Sequence, residues 1–427
     1  MAEAKARKMV PIPDADAPLN GKMIFIWFMA WFCLVMDVFD WQLVSVSSSL
    51  IMAEFEINSS FMGIVLGAPL LGAGIGGLVS GVLADKYGRV KLMFWCLIWY
   101  SLFTIAFAYA NSQGMMFFLR FMVGIGLGAQ WGVGNTLVAE CLPSRLRIMC
   151  SAVIQTGFAF GPMLAAWAGR MIMPDYGWRP LFYIGAIGIV AAFLLIALVA
   201  EPQAWYEARD KAKAAGAKIG NVGKLFSGEV YAETGVTFRR TTICLFILVF
   251  GTLLAYWSSM SWIPNWLQAE RGMDIVKSMN YLMVLNTGGV IGYLVFAYIA
   301  DRFGRKKPAM IALLLSVFAV IIYVTIKEPN QMLLYAPIYS FITYPIFGLY
   351  GGYMSECYPT DIRATGVNGI YNLGRIASFV GPYILGALAA STSFTFAIGA
   401  SASLYLISLI PLLLLPETFK GRVKKAA

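Results

Sequence analysis

The chain contains no histidine. The side chain that most readily relays protons near neutral pH is missing, so any proton coupling must use carboxylates. Cysteine occurs six times, at 33, 96, 141, 150, 244 and 357, without a Cys-x-x-Cys spacing. With no histidine to complete a ligand set, these residues argue for neither a zinc site nor a disulfide framework. Charge is also scarce. Asp, Glu, Lys and Arg amount to 13% of 427 residues, against 59% hydrophobic; a soluble domain carries about 25% charged residues. No nucleophile–base pair or metal-ligand spacing is found, which argues against a membrane enzyme and leaves neither a cofactor nor a metal expected. There is no low-complexity tract and no separate soluble domain that could serve a receptor as a sensory or signalling module.

What the chain does contain is apolar runs. About 20 residues of helix cross the ~30 Å hydrocarbon core of a bilayer. Twelve runs of that kind are present, at roughly 23–51, 60–84, 91–110, 114–138, 149–173, 180–200, 241–268, 279–300, 308–326, 331–355, 364–390 and 393–415. Mean hydropathy is +0.73. Glycine is abundant, at 42 residues, and sits inside these runs, where small residues let helices approach closely. The expected fold class is an all-α membrane protein of twelve transmembrane helices.

The chain also repeats itself. Asp85-Lys86-Tyr87-Gly88-Arg89 returns 216 residues later as Asp301-Arg302-Phe303-Gly304-Arg305. Glu140-Cys141-Leu142-Pro143, followed by Arg147, returns at the same offset as Glu356-Cys357-Tyr358-Pro359, followed by Arg363. One offset held by two separate motifs implies two copies of one six-helix unit, 23–200 and 241–416, a construction that secondary transporters use. Residues 201–240 join them: 203–215 reads as a short amphipathic helix and the rest as linker. The halves end alike, with Glu201-Pro202 and Pro416-Glu417.

The formal net charge is +10, but its placement argues against nucleic acid as a partner. An even number of spans puts both termini on one side. That side, comprising the tails 1–22 and 417–427, the linker and the short loops, holds 25 of the 32 Lys and Arg residues. The opposite loops hold Arg170, Arg179, Arg271, Lys277 and Lys327. Basic residues favour the cytoplasmic side, so both termini are expected there. The polar first 22 residues contain no short apolar region with a cleavage site, and no removable signal peptide is expected.

The stretch Gly81-Val82-Leu83-Ala84-Asp85-Lys86-Tyr87-Gly88-Arg89-Val90-Lys91 resembles the loop signature of the major facilitator superfamily, with 301–307 as its second-half echo. Arg120, Gly124, Gly126 and Gly128 resemble a further motif of that family, and the likeness covers residues 20–418. Within the family, Gly128-Ala129-Gln130-Trp131-Gly132 through Glu140, Pro143 and Arg147 resembles the bacterial organic-acid:proton symporters. Gln155-Thr156-Gly157, Gly177-Trp178-Arg179 and the pair Asp37-x-x-Asp40 point the same way. The nearest groups are the sialate/lactate and aromatic-acid symporters, with organic-anion transporters more distant. The resemblance implies two pseudo-symmetric halves, function as a monomer and a bacterial inner membrane. Gln130 departs from the sialate/lactate pattern, which has an acid there, so that acid's role does not transfer.

A charge at bilayer depth costs at least ~2.5–3.5 kcal/mol by insertion scales, so each one needs a reason. Asp37 and Asp40 in span 1, Arg120 in span 4 and Arg375 in span 11 are the clear cases, and none is duplicated in the other half. Scaffold charges repeat with a scaffold, so the asymmetry favours function. Asp37 and Asp40 are three residues apart on nearly one helix face. Two close carboxylates at depth resist both being ionised, which suits proton carriage. Asp40 is favoured as carrier, because Asp37 can serve as the structural partner of Arg120; the plainer alternative is that one aspartate merely neutralises Arg120. Arg375 offers a planar fork suited to a carboxylate. The resemblance implies that such an arginine anchors the substrate, and the alternative is a fixed ion pair with Asp37 or Asp40. Displacement of the internal carboxylate by substrate, followed by its protonation, would give symport.

Tyr256, Tyr344 and Phe347 lie deep enough for a ring to stack on an organic substrate. Gln130, Asn135, Gln155, Asn286 and Asn372 are neutral hydrogen-bonders that either contact substrate or bridge helices. Asp85, Arg89, Glu140 and Arg147, with Asp301, Arg305, Glu356 and Arg363, are read as a cytoplasmic gate that latches helices in one conformation; the alternative is charge that only orients the chain. The leading reading is uptake of a small organic anion, whether monocarboxylate, aromatic acid or sugar acid, together with a proton, by rocking of two halves. A proton-driven exporter of cationic drugs and an uncoupled uniporter or exchanger are the alternatives, and buried arginines disfavour the exporter.

Overall fold

A computed structural model describes residues 9–418 apart from 12, 15, 16, 144, 145 and 216–221. Among the described residues twelve helices are long and apolar enough to cross a membrane. They are span 1 (Gly21–Phe55), span 2 (Ser59–Tyr87), span 3 (Arg89–Phe107), span 4 (Gln113–Cys141), span 5 (Met149–Tyr176) and span 6 (Arg179–Leu198). Span 7 (Phe238–Ala269), span 8 (Ile275–Ala300), span 9 (Lys306–Thr325), span 10 (Pro329–Glu356), span 11 (Thr365–Ser391) and span 12 (Phe394–Leu414) follow. A helix satisfies its backbone groups internally, which is what an apolar run must do in lipid.

The described residues fall into two units, one within 1–50 and 68–219, the other within 51–67 and 220–427. The division lies in the expected linker, but 51–67, which the sequence places with the first half, belongs with the second unit. The outer turns of span 2 pack on span 11: Ser59 Oγ donates to the Gly386 carbonyl at 2.7 Å, and a Cβ on Gly63 would sit 2.7 Å from Tyr383 Cα.

In the first unit, span 3 packs on spans 4 and 6. Spans 2 and 4 approach through glycine. A Cβ on Gly124 would lie 2.7 Å from Pro69 Cα, and one on Gly128 would lie 2.6 Å from Ala73 Cα. The spaced glycines after Arg120 thus let two backbones touch. In the second unit, span 7 packs on spans 11 and 12, and span 8 on span 10. The loops between spans 2 and 3 and between spans 8 and 9 turn at Gly88 (φ 109°) and Gly304 (φ 98°). A side chain there would be strained, which is why both copies of the loop motif hold glycine.

In several spans the regular hydrogen bonding is interrupted while the backbone angles stay helical: span 5 between Gln155 and Gly157, span 10 between Thr343 and Ile346, and span 11 between Ser378 and Val380. The linker forms the expected helix, Gln203–Ala215. It also contains a small hairpin, with Val230–Tyr231 paired to Val236–Thr237. The N-terminal tail contributes an unforeseen strand, β1 (Met9–Val10), parallel to β2 (Glu201–Pro202) with Met9 opposite Glu201.

Candidate functional site

In the first unit, span 1 presents Asp37 and Asp40, 4% and 1% exposed. Arg120 of span 4 is equally buried. Its Nη1 donates to the Asp40 carbonyl at 3.3 Å and its Nη2 to the Trp41 carbonyl at 3.0 Å. Asp40 Oδ1 lies 3.8 Å from Nη1, a long ion pair. The expectation that Asp37 partners Arg120 is therefore corrected. Guanidinium donors need several acceptors at once, and the carbonyls at 40 and 41 draw the group to the turn beyond Asp37. The other Asp40 oxygen, Oδ2, accepts from Thr104 Oγ1 of span 3.

Asp37 has different company. Tyr100 stands beside it, with the thiols of Cys33 and Cys96 nearby. The Cys33 thiol faces Gln130, whose carboxamide atoms make no closer hydrogen bond among the described residues. Gln155 is buried at the break in span 5. One turn of span 1 thus holds a paired, hydroxyl-bound carboxylate, and the previous turn holds a carboxylate among thiols, phenol and amide. The structure brings Asp37, Asp40, Arg120 and Gln130 into this one unit interior.

In the second unit, Arg375 is buried in span 11 with its guanidinium over the Tyr371 ring, 4.8 Å from the centroid. Such stacking holds the positive charge against an aromatic face. Asn372, one turn away, donates Nδ2 to the Asn368 carbonyl at 2.9 Å, while its Oδ1 has no hydrogen bond among the described residues. Tyr256 meets Tyr344 and Phe347 edge-on, with centroids 5.4 and 4.9 Å away. Tyr344, at the break in span 10, donates to Asn286 Oδ1 at 2.8 Å. The interior of this unit offers one cation, an open amide oxygen and several ring faces.

The loop ends between spans 2 and 3 and between spans 8 and 9 repeat. Arg89 Nη1 donates to Asp85 Oδ1 at 2.8 Å and Nη2 to Glu140 Oε1 at 3.1 Å. Arg305 Nη2 donates to Glu356 Oε1 at 3.3 Å. Arg363 instead donates to the Tyr358 carbonyl at 3.1 Å, bracing its own loop. The side chains of Arg147 and Asp301 lie outside the described residues. Two carboxylates that close the halves complete each end. Glu201 accepts from the backbone N–H groups of Arg89, Val90 and Lys91 at 2.8, 3.2 and 3.0 Å. Glu417 accepts from those of Arg305 and Lys306 at 2.9 and 3.0 Å. Each caps the start of a span, where free N–H groups favour an anion.

Residues 30–375 match the model of the Major Facilitator Superfamily. The chain belongs to that superfamily. It is a multi-pass membrane transporter rather than an enzyme. The cis,cis-muconate transport protein of Acinetobacter baylyi is 28% identical over 398 residues, 93% of this chain and 94% of that protein. The sialic acid transporter NanX of Escherichia coli is 25% identical over 406 residues, 93% and 95% of the two chains. The crystal structure of a bacterial homologue of the human lysosomal transporter Spinster superposes with a TM-score of 0.73 at 16% identity, covering 93% of this chain and 97% of that one. The Spinster homologue shares the fold, and the two sequence relatives are by name transporters of muconate and of sialic acid.

Sequence reasoning missed Thr104, Tyr371, Glu201, Glu417 and Trp205. Trp205, in the linker helix, donates Nε1 to the Asp85 carbonyl at 3.0 Å. The shared ends Glu201-Pro202 and Pro416-Glu417 were the available signal for the two caps. The i, i+4 spacing of Tyr371 and Arg375 was the available signal for that stack, whereas no spacing rule points to Thr104, whose partner Asp40 is on another span.

Proposed function

We propose that the protein takes up a small organic anion together with a proton, by alternating access, as a monomer in the cell inner membrane with both termini cytoplasmic. The observation that carries this reading is the Asp40 carboxylate. It sits at bilayer depth with one oxygen on Thr104 and the other only loosely paired with Arg120. Because Arg120 spends its closer bonds on two main-chain carbonyls, Asp40 keeps capacity for a proton. Asp37 is the second member of the pair. Arg375, backed by Tyr371, is the anchor for the substrate carboxylate, with Asn372 as a further polar contact and Tyr256 and Tyr344 as ring surfaces. Gln130 and Gln155 add hydrogen-bonding groups in the first unit. Transport of muconate and of sialic acid by two relatives supports an organic acid as substrate. The Asp85–Arg89–Glu140 and Arg305–Glu356 contacts act as cytoplasmic latches that break and re-form as access alternates.

A cation exporter is disfavoured, since the buried aspartate closest to a positive charge already faces Arg120. The test is dye-reported proton movement in proteoliposomes challenged with organic anions of graded size. Acidification of the lumen on addition of one anion class supports the reading and names the class. Alkalinisation by organic cations, with silence to every anion, would overturn it.

A further inference from the structure

Thr104 is buried in span 3 with no exposure. Its methyl group packs against span 6, where a Cβ on Gly185 would meet Thr104 Cγ2 at 2.9 Å. With the methyl on that side, the hydroxyl donates to Asp40 Oδ2. Besides Thr104, the described groups near Asp40 are Arg120 from span 4 and Tyr100 from span 3, while Asp37, one turn back on span 1, lies among Tyr100, Cys33 and Cys96. Of these, only Arg120 favours the carboxylate ion, and it does so across 3.8 Å. A hydroxyl differs from a guanidinium in serving both states of an acid. It donates to the anion and accepts from the protonated form, whereas Arg120 can serve the anion alone.

We propose that Thr104 is a positioning residue for proton coupling: its hydroxyl holds Asp40 in place through both protonation states and sets the pH at which the proton leaves. This inference rests on the proton-coupled reading above. The Thr104 bond is worth more to the charged form than to the neutral one, since charge-assisted hydrogen bonds are the stronger. Removing the hydroxyl while keeping the shape should therefore make Asp40 hold its proton to higher pH.

The test is an infrared titration of the protonated carboxyl band in reconstituted protein, with the Asp40 contribution defined by its loss in Asp40→Asn. In Thr104→Val the midpoint of that band should rise by about one pH unit, the scale of one hydrogen bond to a charge. Thr104→Ser should restore it. The falling limb of proton-coupled uptake should move to higher pH in parallel. An unmoved midpoint in Thr104→Val, with the Asp40 band present, would overturn the role of Thr104 and leave proton coupling standing. Absence of any band that Asp40→Asn removes would overturn proton carriage by Asp40 and the Thr104 inference with it.

Discussion

In the first unit Glu201 caps the start of span 3, and in the second Glu417 caps the start of span 9 in the same manner. Arg89 reaches Glu140 where Arg305 reaches Glu356. At bilayer depth the likeness ends. The first unit holds two carboxylates, an arginine spent on carbonyls and a threonine; the second holds one arginine on a tyrosine and a group of rings. The ends are copies because both units use the same glycine turn and the same carboxylate cap at a helix start. The interiors differ in chemistry, acidic in one and cationic with aromatic rings in the other, and the proposed mechanism gives the first the proton and the second the anion. Even the ends differ in degree: Glu201 is 7% exposed and is itself part of the strand pair β1–β2, whereas Glu417 is exposed.

The largest way to break this comparison is at the anchor. Arg375→Ala should lower uptake on the order of 100-fold, the scale of truncating a buried charged partner, as measured with radiolabelled substrate. Near-normal uptake would remove the second unit's assigned role. A smaller effect separates the two caps. Glu201→Ala should destabilise the protein by about 1–2 kcal/mol, because three backbone donors lose a buried acceptor. Glu417→Ala should cost less, since water can replace it. Thermal unfolding of the two variants should show that order, and equal losses would mean that burial at Glu201 adds nothing. The smallest effect is at the ring group. Tyr344→Phe removes the bond to Asn286, worth about 1 kcal/mol, and should raise KM only a few-fold while leaving proton coupling intact.

Much of this was legible in the sequence. The twelve spans follow from apolar run length, and the repeated Arg–Glu contacts follow from the offset shared by Arg89 with Arg305 and by Glu140 with Glu356. Gly88 and Gly304 were visible as residues, but not as positive-φ turns that present a helix start to a carboxylate more than a hundred positions away. Asp37, Asp40, Arg120 and Arg375 stood out because charge is rare at depth. Which aspartate Arg120 meets was not legible. Two carboxylates one turn apart look alike on a helical wheel, and the choice is made by the carbonyls at Asp40 and Trp41. Thr104 was hidden for the same reason: hydroxyls are common in membrane helices, and only packing singles it out.

The most direct test of the account compares net uptake with exchange in Asp40→Asn proteoliposomes. Proton coupling through Asp40 predicts that proton movement and concentrative uptake vanish while exchange of substrate across the membrane continues. Proton-driven accumulation at the wild-type level in that variant would contradict the assignment of the proton to Asp40.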